Sequence, residues 1–182
     1  IEAGADLDIA DKFGCPALIH ACGEGNQEIA DALILAGADV NIVRDKTALT
    51  MAASKGYTEI VSSLLKCGRC DVDQRSGPFG KTALHWAAWI GNKDIVAALL
   101  EAGASVHEGS TDYGYTPMHY AVQSGHLDIV QCLLQHHIPT TIKRVTNSST
   151  TTLMMSAQDG RKELCPDLVN DGVKLEWEDV SD

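Results

Sequence analysis

The chain has 182 residues and is 45% hydrophobic but only 5% aromatic, so its core is built chiefly from Ala, Leu, Ile and Val. That length suits one domain with a sizeable core, and no apolar run approaches the ~20 residues that span a bilayer. The formal charge of −11 is concentrated at one end, because residues 163–182 hold seven acids against Lys174; the near-balanced remainder offers no basic stripe, which disfavours nucleic acid and membrane surfaces as partners.

In chain order, residues 1–8 match 100–106 and read as the tail of a truncated unit, so the chain is expected to be part of a longer array. Five similar stretches follow. Each carries one aligned glycine, at Gly25, Gly56, Gly91, Gly125 and Gly160, with spacings of 31, 35, 34 and 35 residues. Before the glycine lies a short Ala-rich segment, such as Ala52-Ala53 or Ala87-Ala88. After it lies an apolar stripe, such as Ile95-Val96 followed by Leu99-Leu100. Apolar residues at i, i+4 and i+5 predict a helix with one sticky face, and the glycine between two such segments predicts a tight turn. Each unit is therefore two short helices that need stacked neighbours to bury their stripes. The units are expected at 11–41, 42–73, 77–107, 111–141 and 146–175, the last one degenerate, with an acidic tail at 176–182. The turn entering the second unit (41–46) is two residues short, and the one before the fifth (141–150) is long. Pro166 should shorten the last helix.

Lys81-Thr82-Ala83-Leu84-His85, Tyr115-Thr116-Pro117-Met118-His119 and Gly37-Ala38-Asp39-Val40-Asn41 carry a resemblance to the ankyrin-repeat family, which extends over 1–172. The resemblance implies an all-α repeat solenoid, an ankyrin array of helix-turn-helix units with short β-hairpin fingers, forming one continuous domain. It implies that His85 and His119 are structural, hydrogen-bonding the backbone between repeats. It also implies protein–protein interaction on a concave face, lined by finger tips and by the two positions before each inter-helix glycine. Asn41 has Leu33 eight residues before it and follows Asp39-Val40, a pattern similar to ankyrin substrates of an asparaginyl hydroxylase.

Those two inner-face positions are usually small or polar, but in the third repeat they are Trp89 and Ile90. The register places Phe79 of finger 3 and Tyr113 and Tyr115 of finger 4 nearby, with Trp86 half-buried beneath. An aromatic patch that the fold does not need points to a partner site. Arg44, Lys46, Lys55 and Lys81 lie toward the second repeat and favour a partner with acidic residues, whereas Asp112 lies on the fourth-repeat side. Two rival readings share these residues. One is an aromatic cage for methylated lysine, such as a histone tail, built from Trp86, Trp89, Tyr113, Tyr115 and Asp112. The other is a regulatory or targeting segment of a larger enzyme, such as a ubiquitin ligase or kinase.

No phosphate loop, Ser/His/Asp set or paired carboxylates appear, so no catalytic residue, cofactor or metal site is expected. Cys67 and Cys70 form a CxxC with no second ligand pair, and they end a helix, unlike a redox site. The six cysteines are scattered through apolar segments, as expected for reduced thiols of an intracellular protein, cytoplasmic or nuclear. Without an upstream repeat, Leu18, Leu33 and Ile34 should form a half-covered apolar edge.

Overall fold

A computed structural model describes residues 4–136, 152–160, 162, 163 and 166. The long turn at 141–150, most of the stretch expected to hold the second helix of the fifth repeat, and the acidic tail lie outside the described residues. Four helix pairs come first: α1 (Ala17–Glu24) with α2 (Gln27–Leu35), α3 (Ala48–Lys55) with α4 (Thr58–Lys66), α5 (Ala83–Ile90) with α6 (Lys93–Glu101), and α7 (Pro117–Ser124) with α8 (Leu127–Gln135). Then comes α9 (Thr152–Gln158). The first helices α1, α3, α5, α7 and α9 stack in sequence order as one layer, and α2, α4, α6 and α8 stack as a second. This is the all-helical repeat array expected from the sequence.

The inter-helix glycines end α1, α3, α5 and α7 in the left-handed conformation, which costs a residue without a Cβ little. Gly91 has a second constraint. A Cβ there would meet the His126 ring at 2.5 Å, and His126 Nε2 bonds the Trp89 carbonyl at 3.1 Å. The next repeat thus leans directly on the end of α5.

Helix starts are secured by paired side chains. Thr82 and His85 close a capping box on α5, as Thr116 and His119 do on α7. Thr50 takes the histidine's place on α3 and reaches Ser76 of the next finger at 2.8 Å. His85 does the same through Nε2, which bonds the Tyr115 carbonyl at 3.0 Å. Burial pushes the His85 pKa down to about 4, so the ring is neutral and structural.

Successive repeat tails form a ladder. The side-chain oxygens of Asp8, Asn41 and Asp73 accept the backbone N–H of Asp39, Asp71 and Ser105 at 2.9, 2.8 and 2.9 Å. Asn41 also donates to the Arg69 carbonyl at 2.8 Å. Arg69 in turn bonds the Ile34 and Ala38 carbonyls, satisfying the end of α2.

One expectation is corrected. Leu18, Leu33 and Ile34 are buried in the common core rather than half-covered. Leu7 packs against that core, and Asp8 ties the first segment to the tail of repeat 1. The exposed apolar side chains at this end are instead Ile9, Phe13, Ile29 and Leu35.

Candidate functional site

The fingers differ as their sequences imply. Fingers 1 and 3 are closed by single antiparallel bridges, Ala10 with Pro16 and Ser76 with Lys81. Finger 4 is closed by the Ser110 N–H bonding the Tyr115 carbonyl at 2.9 Å. Among the described residues, the short second finger has no such bridge. Arg44 lies against Gly14 of finger 1, and together with Pro78 and Thr111 it lines an open recess. Fingers 3 and 4 are joined by the Thr111 N–H donating to the Phe79 carbonyl at 2.8 Å. Gly80 permits this approach, since a Cβ there would stand 2.6 Å from Thr111 Cγ2.

Beside these fingers runs a chain of rings. Trp86 and Trp89, three apart on α5 and so on one helix face, stack with centroids 5.3 Å apart. Trp89 meets Tyr120 of α7 at 6.2 Å, Tyr120 meets Tyr115 at 5.7 Å, and Tyr115 meets Tyr113 at 5.4 Å. Tyr115 also stacks on His119. Trp89 is 44% exposed and Tyr113 57%; Phe79 and Ile90 are exposed as well, whereas Trp86 and Tyr115 are half-buried.

Lys81 requires a correction. The sequence placed it among the basic residues facing a partner, but only 6% of it is exposed. Its ammonium lies 4.4 Å from the Tyr120 ring centre, 4.5 Å from Trp89, 4.9 Å from Trp86 and 5.5 Å from Phe79. The residue precedes the α5 cap and its backbone is held by Ser76, so its stem runs inward along the rings. Two rings of the group read as a cage for a foreign lysine, Trp86 and Trp89, thus lie against the chain's own, with Tyr120 and Phe79 in place of Tyr113 and Tyr115. Tyr120 is the member that the sequence reading missed. It occupies the same repeat position as Trp86, so aligning repeats 3 and 4 would have found it.

The other charges divide. Lys46 is half-buried, with Nζ 4.0 Å from the Trp86 centre and bonded to Ser54 Oγ at 2.9 Å. Arg44 and Lys55 are exposed. Burial lowers the pKa of both Lys46 and Lys81. Burial works against the Asp112 charge, but hydrogen bonds from Ser110 and Tyr113 and the charge of Lys81 outweigh it and lower its pKa.

Asp11, Cys15 and His20 in repeat 1 bring three ligand-type atoms within 4.8 Å of one another. Asp11 already accepts the N–H groups of Phe13 and Cys15 and pairs with His20 at 2.9 Å, which holds finger 1 together. Cys15, Cys22, Cys67, Cys70 and Cys132 are unpaired, and Cys165 lies outside the described residues. Burial pushes the Cys22 and Cys70 thiols up to about 12, which makes Cys70 unsuited to redox exchange. Among the described residues no helix is long and apolar enough to cross a membrane.

The family model for ankyrin repeats in three copies matches overlapping windows at 1–76, 18–110, 53–147 and 105–179. The chain belongs to the ankyrin-repeat family. Ankyrin repeats generally mediate protein–protein interaction. The array is 36% identical over 110 residues to mouse protein fem-1 homolog A-like, covering 59% of this chain and 16% of that protein. It is 32% identical over 111 residues to the rice BTB/POZ domain and ankyrin repeat-containing protein NPR5, covering 61% of this chain and 22% of that one. It is 32% identical over 108 residues to human neurogenic locus notch homolog protein 2, covering 58% and 4%. The chain therefore spans less than a quarter of the length of these relatives.

Proposed function

We propose that this array is a non-catalytic interaction module that docks a protein or peptide across fingers 3 and 4 and the adjoining ends of α5 and α7, on its concave face. The observation that carries the reading is Trp89. Its ring is fixed by Trp86, Tyr120 and Lys81 from the sides and its backbone by His126, yet nearly half of it stays in water. A rigid, half-exposed indole loses little freedom when covered, and burying the remainder yields on the order of 1–2 kcal/mol. Phe79, Ile90 and Tyr113 extend the patch, and Arg44, Lys46 and Lys55 bias it toward an acidic partner.

The methyl-lysine reading loses support, because Lys81 already places an ammonium among the rings. Membership in a larger protein gains support. Some relatives, by their names, join ankyrin repeats to a BTB/POZ domain, which favours a recognition segment within a larger protein. A photo-crosslinking residue tests the docking face. Placed at Tyr113 it is expected to capture the partner, and placed at exposed Lys93 of α6 it is not. The reverse pattern would move the site to the second-helix layer.

A further inference from the structure

Two ammonium groups share one indole. Lys46, which precedes α3, and Lys81, which precedes α5, come from consecutive repeats, yet their Nζ atoms lie 4.0 and 4.9 Å from the Trp86 ring centre. Among the described residues no carboxylate stands within ion-pair distance of either. Asp112 is the acid whose charge acts on Lys81, but it accepts from Ser110 and Tyr113. Asp45 acts on Lys46 from the exposed second finger. Lys46 spends one N–H on Ser54, and no hydrogen bond among the described residues runs from the Lys81 ammonium.

Ring faces attract a cation but accept no strong hydrogen bond, so both ammoniums keep donors to offer. They also repel each other, and Lys55 adds to the repulsion at Lys46. A buried ammonium behind a half-buried one that still has donors to spend favours one ligand chemistry above others: an anion that accepts from Lys46 and offsets the charge of Lys81. The exposed Trp89, whose ring centre lies 4.5 Å from the Lys81 ammonium, and the exposed Ile90 next to it in α5 give a group bound there an apolar wall.

We propose that Lys46, with the buried charge of Lys81 beside the same Trp86 ring, forms a carboxylate receptor, which takes an Asp or Glu side chain of the partner while a neighbouring large apolar residue settles on Trp89 and Ile90. This deepens the docking reading above and rests on it. The aromatic group serves to hold cations that belong to the array, rather than to capture a cation from outside.

The test uses the whole chain and two defined probes, an acetylated Glu-Leu-Glu-Leu amide and its Gln-Leu-Gln-Leu counterpart, titrated by calorimetry at low ionic strength. The acidic probe is expected to bind at least tenfold more tightly. Lys46→Met and Lys81→Met should each cut that preference at least threefold, while Lys55→Met changes it less. Methionine keeps the stem on the rings, and Lys46 is half-buried, so at least one variant reads the charge without disturbing the fold. Equal affinity for the two probes, or an unchanged preference in a folded Lys46→Met chain, would overturn the receptor. So would tighter binding of a trimethyl-lysine peptide than of the acidic one. If partner affinity still falls with Trp89→Ala while the two probes bind alike, the receptor fails and the docking face stands.

Discussion

Lys81 and Tyr120 come from successive repeats, yet the Lys81 ammonium rests 4.4 Å from the centre of the Tyr120 ring. Tyr120 is itself buried, 5.7 Å from His85 in an edge-on contact. This pair fastens repeat 4 to repeat 3 beneath the exposed indole of Trp89.

Removing the Lys81 side chain takes away both the packed stem and the cation over the rings. Lys81→Ala is expected to cost about 1–2 kcal/mol in urea unfolding, and Lys81→Met less than half of that. An alanine variant as stable as the parent would show that the rings hold repeats 3 and 4 together unaided.

His85 sets an acid limb. Its folded pKa of about 4 lies below the ordinary 6.5 because burial disfavours the charged ring. The unfolded chain therefore binds the extra proton between those values, and stability falls as pH drops from 6.5 to 4. The loss from this one ring is roughly 3 kcal/mol. Thr50 shows that threonine can serve the same capping position. His85→Thr is expected to be less stable at pH 7.5, with the gap to the parent narrowing by that amount near pH 4. A constant gap across the range would contradict the buried neutral ring.

Gly80 keeps fingers 3 and 4 in contact. Its φ is +55°, and a Cβ would press on Thr111. Gly80→Ala is expected to cost about 1–3 kcal/mol. Adding Thr111→Ser, which removes the nearest methyl, should recover part of the loss, and additive effects in the double-mutant cycle would refute the contact.

Asn41 is held at both ends of its amide by backbone of the next repeat. An asparaginyl hydroxylase has to release those bonds. Asp8→Ala, which removes the first rung of the ladder, is therefore expected to speed addition of one oxygen at Asn41, read by peptide mass mapping. Equal rates would show that the ladder does not guard the site, and no addition in either chain would remove Asn41 as a substrate.

The helix pairs were legible in the sequence because each repeat obeys strong local rules. A left-handed glycine must end α1, α3, α5 and α7, and an apolar stripe must follow it. The exposed positions of Trp89 and Ile90 were legible for the same reason, since the register assigns every residue a face. Lys81 was not. A lysine ordinarily stays in water, and this one turns inward only because Trp86 and Trp89 from the helix that follows it and Tyr120 from the next repeat converge on it. Nor was the cover over Leu18, Leu33 and Ile34 legible, because it depends on where Leu7 and Asp8 fold back.

The docking face is tested most directly by the partner's affinity for the parent and for Trp89→Ala, with Tm measured on both chains. If the exposed indole is the anchor, affinity falls at least roughly tenfold, about 1.4 kcal/mol, while Tm drops by only a few degrees. Undiminished affinity in a folded Trp89→Ala chain would contradict the account.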